Sequence, residues 1–308
     1  MDTNNAGVRV LVLKGGPDAE REVSLRSGAM VAAALRRAGF AVNEVAIERP
    51  GLEELRALQG DVVFPVLHGA WGEGGPLQEL LEQDGRPYIG CRPDAARLAM
   101  DKVATKAVVS EMGVPTPRAQ ELRTGEPIAI GYPLVLKPAD DGSSVDLRIC
   151  ENEGEAFRAR LELEPRRSRL LAEEYIRGRE LTVGLIDGEC LPIIEIRAAD
   201  GTYDYEAKYH RDDTSYLLDP QLPEGVADAV RAFSRCAWHA VRCRDVARAD
   251  FMLDERGLWF LEINTMPGFT DHSLVPKAAQ HAGIPMEELV ARLVRTALAR
   301  SASRRAAA

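Results

Sequence analysis

The stretch RADFMLDERGLWFLEIN, Arg248 to Asn264, constrains the fold most, because apolar residues recur at every second position on either side of Glu255-Arg256-Gly257. Period-two alternation marks a half-buried strand, and two such runs around a short glycine-containing loop make an antiparallel hairpin. A three-residue loop, with Gly257 in the left-handed position, keeps the alternation clean. Pairing then sets Asp250 opposite Glu262 and Arg248 opposite Asn264 on one face. Ala249, Phe251, Leu253, Trp259, Leu261 and Ile263 point to the other, apolar face. A two- or four-residue loop sends the two carboxylates to opposite faces, so the hydrophobic pattern selects the register.

Two carboxylates and an amide on one face suit a hard divalent cation, since magnesium takes a few protein oxygens and shares nucleotide phosphates. Arg248 beside them can neutralise a phosphate or a developing oxyanion. The plainer account is a solvated sheet face carrying incidental acids. Against it stands the next segment, Thr265 to Leu274, a loop entering a helix whose first residue can be Ser273. A hydroxyl and unpaired N–H groups at that point make a small anion site.

Upstream, the first ninety or so residues alternate strand and helix. Strands are expected at Val8–Leu13, Val42–Ile47, Asp61–Leu67 and Pro87–Gly90, with helices at Ser24–Ala38, Leu52–Leu58 and Pro76–Gln83. Such βαβ alternation implies a parallel sheet with ligands at the carboxyl ends of its strands, where Gly15-Gly16 and His68-Gly69 fall. One helical passage, Asp94 to Met112, leads to the proline-stiffened Gly113–Pro117. Residues from Tyr132 to about Gly188 read as strand-rich, with a helix near Glu153–Leu161. A long helix (Glu224–Arg242), the hairpin and two closing helices complete the chain, and the tail SASRRAAA is expected to fray.

Neither a P-loop nor a GxGxxG fingerprint is present. Instead Lys137 leaves a buried strand just before Asp140-Asp141-Gly142-Ser143-Ser144, a turn able to wrap phosphates through N–H groups and hydroxyls. Leu170 to Ile176 reads as a strand whose edge can meet a purine, and Glu180 is placed for ribose hydroxyls. Lys102 and Lys208 are further cations for phosphates, or equally surface charges. The net charge of −9 argues against nucleic acid as partner. No apolar run is long enough to span a bilayer, and five cysteines without a CxxC pair point to reduced thiols in a cytoplasm.

At this point the residues resemble a known family, the D-alanine–D-alanine ligases of the ATP-grasp superfamily. The resemblance spans roughly Val8 to Leu293 and rests on six ordered motifs: GGPDAEREVSL, LHGAWGEGGPLQ, MDK, KPADDGSSV, YDYEAKY and EINTMPGFTDHSLVP. It implies a mixed α/β and α+β architecture in three domains. These are an N-terminal βαβ domain (1–95), a central ATP-grasp subdomain (96–185), and a C-terminal one with metal site and lid (186–308). It further implies that Lys102, Lys137, Ser144, Glu173, Glu174, Ile176 and Glu180 hold ATP, with Lys208 on its phosphates. Asp250, Glu262 and Asn264 hold two magnesium or manganese ions. Glu20 pairs with the ammonium of the first D-alanine, with His68 near it, and Ser143 and Tyr209 link to Glu20 to close the site. Ser273 and Leu274 take the second substrate's carboxylate, while Arg248 and the Gly268 N–H receive the oxyanion. The implied activity is ADP-forming ligation of two D-alanine molecules for peptidoglycan synthesis, by a cytoplasmic homodimer.

The chain departs from the family pattern in places. The phosphate-loop motif usually continues GSSVG, whereas Asp146 follows Val145 here. With Asp140 and Asp141 this puts three acids beside a polyanion, which opposes nucleotide binding unless they point away. Lys14 and Ala249 also replace residues of other types. Rival readings are D-alanyl-D-serine synthesis, an ATP-binding regulator without catalysis, and a hydrolase pairing His68 with Ser24.

Overall fold

The computed structural model describes residue 5 and residues 7–142, 146–197 and 214–307. The N-terminal part runs β1 (Arg9–Gly15), α1 (Arg21–Arg37), β2 (Ala41–Ile47), α2 (Leu52–Ala57), β3 (Val62–Pro65), α3 (Gly69–Gly72) and α4 (Pro76–Asp84). Its parallel sheet has the order β2-β1-β3. The apolar run of β1 is buried on both faces, as a central parallel strand must be. Val10 and Val12 pack against Val31 and Leu35 of α1, while Leu11 and Leu13 pack against Leu55 of α2 and Leu77 of α4. The strand expected at Pro87–Gly90 shortens to a single bridge, Val63 to Tyr88.

The helix expected over Asp94–Met112 is two: α5 (Pro93–Met100) and α6 (Lys102–Glu111). Asp101 breaks it, because its backbone leaves the helical region and its Oδ1 accepts the Ala104 N–H at 3.0 Å, capping α6. The break turns Lys102 and Lys106 inward, on one buried stripe with Thr105 and Val109.

Next come β4 (Ala119–Leu122), β5 (Leu134–Pro138), β6 (Arg148–Cys150), α7 (Glu153–Leu163) and β7 (Leu170–Glu174). They form a four-stranded antiparallel sheet, β4-β7-β5-β6. Leu134, Leu136, Leu170 and Ala172 bury one face with Ala156, Ala159 and Leu163 of α7. The alternate residues, Val135, Lys137, Leu171 and Glu173, therefore share the opposite face.

The last part contains β8 (Arg179–Ile186), β9 (Glu189–Arg197), β10 (Ser215–Leu218), α8 (Val226–Val241), β11 (Val246–Asp254), β12 (Gly257–Asn264), α9 (Leu274–His281) and α10 (Met286–Ala307). Its antiparallel sheet has the order β10-β9-β8-β11-β12. Strand β8 crosses residue 185 and belongs wholly to this sheet. One continuous core joins Val10, Val12 and Phe64 of the parallel sheet to Ile194 and Ile196 of β9 and to Leu289, Leu293 and Val294 of α10. The tail does not fray: helix continues to Ala307. An anchor for that helix is Arg300, which meets the buried carboxylate of Asp245, and Asp245 also accepts the Gly90 N–H at 2.7 Å. No helix among the described residues is long and apolar enough to cross a membrane.

Candidate active site

The hairpin keeps the expected pairs, Asp250 with Glu262 and Arg248 with Asn264, by a different route. Its turn has two residues, not three: Asp254 pairs with Gly257, leaving Glu255 and Arg256 at the tip. Asp254 Oδ1 accepts the N–H groups of Arg256 and Gly257 at 2.9 and 3.1 Å and the Trp259 indole N–H at 2.9 Å. Gly257 takes a φ of 144°, which only glycine adopts readily. A two-residue turn alone shifts every partner by one. A β-bulge at Leu261, between the pairs Asp250–Glu262 and Phe251–Phe260, shifts them back. Leu258, Phe260 and Ile263 therefore fill the apolar face, and the expected Trp259 and Leu261 do not. The Phe251 and Phe260 rings, edge to face at 5.6 Å, stabilise this register.

On the polar face Asp250 is nearly buried and fully engaged. Its Oδ1 accepts from Thr182 Oγ1 at 2.6 Å and Arg248 Nε at 2.9 Å. Its Oδ2 accepts from Arg248 Nη2 at 2.7 Å and Asn264 Nδ2 at 3.1 Å. Thr182 arrives because β8 pairs with β11 and sets it opposite Asp250. Glu262 lies 3.2 Å from Lys102 Nζ, which also donates to the Asp141 carbonyl at 2.6 Å. Burial alone lowers the Lys102 pKa, but the Glu262 carboxylate overrides it and raises the net value. Lys102, Glu262 and Asn264 line one cavity with Glu73, Asp141 and Gly142. Among the described residues no cluster of three His, Cys, Asp or Glu side chains forms a metal cage. The donors present, two carboxylates and an amide, fit a cation that completes its shell from phosphate oxygens and water.

The central sheet supplies a second cluster. Glu173 on β7 is buried between Lys137, 2.5 Å away, and Lys106 of α6. Burial pushes its carboxyl up, yet the two lysines hold it below the usual range. Burial in turn lowers Lys106. Glu174 pairs with Arg256 of the hairpin tip at 2.5 Å, Ile176 is buried, and Glu180 lies on β8 opposite Met252.

A third group gathers where the parallel sheet meets the hairpin. Glu20 precedes α1, His68 precedes α3, and both are buried. Burial drives the His68 pKa down to about 4, the Met266 backbone opposes this, and the Arg248 charge adds to it. His68 Nε2 is buried with no hydrogen-bond partner among the described residues. Glu73 accepts the Gly69 N–H at 3.2 Å, and burial with the nearby Glu20 charge raises its pKa well above the carboxylate range. Ser24 accepts the Gly15 N–H at 2.8 Å and donates to the Val66 carbonyl, which removes it as a partner for His68 and with it the hydrolase reading. Gly15 itself must be glycine, since a Cβ there meets the Ile47 carbonyl at 2.8 Å.

The Thr265–Leu274 loop docks on the parallel sheet through Phe269, edge to face with Phe64 at 5.6 Å, and its N–H reaches Ser27 Oγ at 3.1 Å. Ser273 is the residue before α9 rather than its first, and its hydroxyl accepts the Thr270 N–H at 2.9 Å, so it is not idle. Gly268 packs so closely that a Cβ there lies 2.7 Å from Ser273 Oγ, and Leu274 is buried. Ser143, Ser144, Lys208 and Tyr209 fall outside the described residues, as do Tyr203 and Tyr205 of the YDYEAKY motif.

Sequence reasoning passed over Lys106, Thr182 and Glu73. Lys106 carried a signal, because it follows Lys102 by four residues on one helical face. Thr182 carried none, since its place opposite Asp250 depends on a pairing between distant strands.

A family model described as D-ala D-ala ligase C-terminus matches residues 107–295. The chain is 41% identical to the D-alanine–D-alanine ligase of Syntrophotalea carbinolica over 289 residues, covering 93% of this chain and 95% of that one. It is 43% identical to the enzyme of the same name from Chromohalobacter salexigens, covering 94% of each chain. The crystal structure of the Bacillus anthracis D-alanine–D-alanine ligase superposes with a TM-score of 0.86 at 32% identity, covering 96% of this chain and 99% of that one. A second structure of that enzyme, complexed with ATP, gives 0.84 at 31% identity with the same coverage. Likeness of this extent, over a parallel sheet followed by two antiparallel sheets in the ATP-grasp arrangement, leaves one conclusion: the chain belongs to the D-alanine–D-alanine ligase family.

Proposed function

We propose that the chain is an ADP-forming carbon–nitrogen ligase that joins two D-alanine molecules through D-alanyl phosphate, making D-alanyl-D-alanine for peptidoglycan. The observation that carries this reading is the polar face of the hairpin. Asp250, Glu262 and Asn264 lie together there, with Arg248 beside them and Lys102 across the cavity.

ATP lies between the two antiparallel sheets, with Lys102 and Lys137 toward its phosphates, joined by Ser144 and Lys208. Glu173, Glu174 and Ile176 take the base, and Glu180 the ribose. Asp250, Glu262 and Asn264 hold two magnesium or manganese ions, which supply charge neutralisation on the phosphates. Glu20 accepts the ammonium of the first D-alanine. His68, neutral above about pH 4, adds a hydrogen bond there without charge repulsion. That substrate's carboxylate oxygen bonds to the γ-phosphorus as the bond to ADP breaks. The second D-alanine, held by its carboxylate at Ser273 and Leu274, loses an ammonium proton and attacks the acyl carbon. Phosphate then leaves. Between these events the oxyanion sits against the Arg248 guanidinium and the Gly268 N–H. Ser143 and Tyr209, linked with Glu20, keep water from the acyl phosphate.

The three-part division belongs to the same proposal, and the pairing of β8 with β9 and β11 supports a second boundary in the link between β7 and β8. Five free cysteines support a cytoplasmic location. The homodimer belongs to the same proposal and is tested by sedimentation. Phosphate release, followed with D-alanine, D-serine and D-lactate as second substrates, tests the activity. Turnover with D-alanine is expected, and its absence while other acceptors react overturns the assignment.

A further inference from the structure

The three acids of the phosphate loop oppose ATP unless something holds them. Two of them are held by one side chain. Arg167 lies in the short link between α7 and β7, and its Nε and Nη2 donate to Asp146 Oδ2 at 2.7 and 2.6 Å. Its Nη1 donates to Asp141 Oδ2 at 2.7 Å. One planar guanidinium thus grips both ends of the segment that carries Ser143 and Ser144. Arg166 adds a contact of 3.1 Å to the other oxygen of Asp146. Both arginines are set by the end of α7, where their backbone N–H groups bond the Leu163 carbonyl at 3.0 and 2.9 Å.

Two details indicate that this grip fixes a conformation rather than decorating a surface. Asp146 has a φ of 61°, a left-handed conformation that costs a non-glycine residue about 1 kcal/mol or more. Contacts on both of its carboxylate oxygens offset that cost. Asp141 is tied at three points: Oδ2 to Arg167, Oδ1 to the Gly142 N–H at 2.8 Å, and its carbonyl to Lys102 Nζ at 2.6 Å. Lys102 in turn meets Glu262. A chain of polar contacts therefore runs from Arg167 through Asp141 to the cavity where Glu262 and Asn264 lie.

We propose that Arg167 is a positioning residue for ATP: it staples Asp141 to Asp146 and neutralises both acids beside the cavity that Lys102 lines. This rests on the ligase reading for the identity of the nucleotide. Lysine is a poor substitute, because a single ammonium cannot present the fork that meets two carboxylates at once. Asp146 and Arg167 are then two halves of one device, and the acidic loop loses its objection to ATP.

Steady-state kinetics with varied ATP, calorimetric titration of Mg-ATP and thermal unfolding on the full chain test this. Arg167→Gln is expected to raise the KM for ATP about tenfold or more with kcat within about twofold, the signature of lost ground-state binding. Arg167→Lys regains part of the loss. Asp146→Gly combined with Arg167→Gln loses less than the product of the single effects, because removing the acid removes what the arginine neutralises. A purely structural tie lowers the unfolding temperature without this split. The staple is overturned if Arg167→Gln leaves the KM and the calorimetric affinity for ATP within about twofold of wild type, or if the double variant multiplies the single losses. A wild type that binds ATP without D-alanine turnover overturns the ligase reading alone, and the calorimetric ratio still decides the staple.

Discussion

Glu173 and Glu73 are both buried, and their carboxyls shift in opposite directions. Glu173 sits between two lysines, and their attraction outweighs the loss of water. For Glu73 burial and the negative charges of Glu20 and Glu262 act together, with the Gly69 N–H and the Arg248 charge only partly opposing them. Burial alone therefore predicts neither charge state; the partner decides. The difference also sorts ligands. In the proposed reaction the lysine-rich end would meet the polyphosphate and the acid-rich end the ammonium group.

The sharpest way to break this contrast is to remove the acid that the lysines share. Glu173→Gln leaves Lys106 and Lys137 buried without a counter-charge and is expected to cost about 3–5 kcal/mol in urea unfolding at neutral pH. Because the folded carboxyl of Glu173 titrates below its ordinary value, its contribution is present above about pH 4.5 and lost as pH falls through the lowered value. The difference between variant and wild type should narrow in acid. Next in size, Glu262→Gln, at the boundary between the two ends, is expected to lower turnover by about 10²–10³ with the fold intact. Unchanged magnesium dependence would refute its assignment as a ligand.

His68 sharpens the contrast through pH. Its folded pKa of about 4 lies below the ordinary 6.5, so between those values the unfolded chain binds the proton that the fold refuses. Stability should fall as pH drops from 6.5 to 4, by about 3 kcal/mol in all. His68→Asn should flatten that interval in denaturant titrations of the metal-free protein. The smallest effect belongs to Glu73→Gln. A raised folded pKa makes wild-type Glu73 a growing liability as pH climbs above the carboxylate range, so the variant should gain stability, by about 1 kcal/mol, at pH 8 and little at pH 5. A loss at pH 8 would show that the acid-rich end is not strained by repulsion.

Much of this was legible in the residues. Period-two alternation placed Asp250 opposite Glu262, and βαβ alternation placed Gly15 and His68 at strand ends. Local chemistry that competes with periodicity was harder to see. Asp101 ended a helix that hydrophobic spacing carried through, because a short acid caps the next N–H groups. Asp254 closed a tighter turn than alternation suggested, for the same reason. The tail escaped because its anchor, Arg300 on Asp245, joins residues far apart in the chain. Arg167 escaped likewise: nothing in the order of residues says that it meets Asp141 and Asp146.

The bulge at Leu261 behaves like the second of two compensating frameshifts. The short turn moves the strand's inward-outward frame by one step, and the extra residue restores it before Glu262 is reached. Deleting Leu261 alone would set Glu262 directly after Phe260, where a regular ladder still places it opposite Asp250, so the polar face should survive that deletion. Drawing Leu261 into the ladder without deleting it is what would turn Glu262 and Asn264 toward the apolar core.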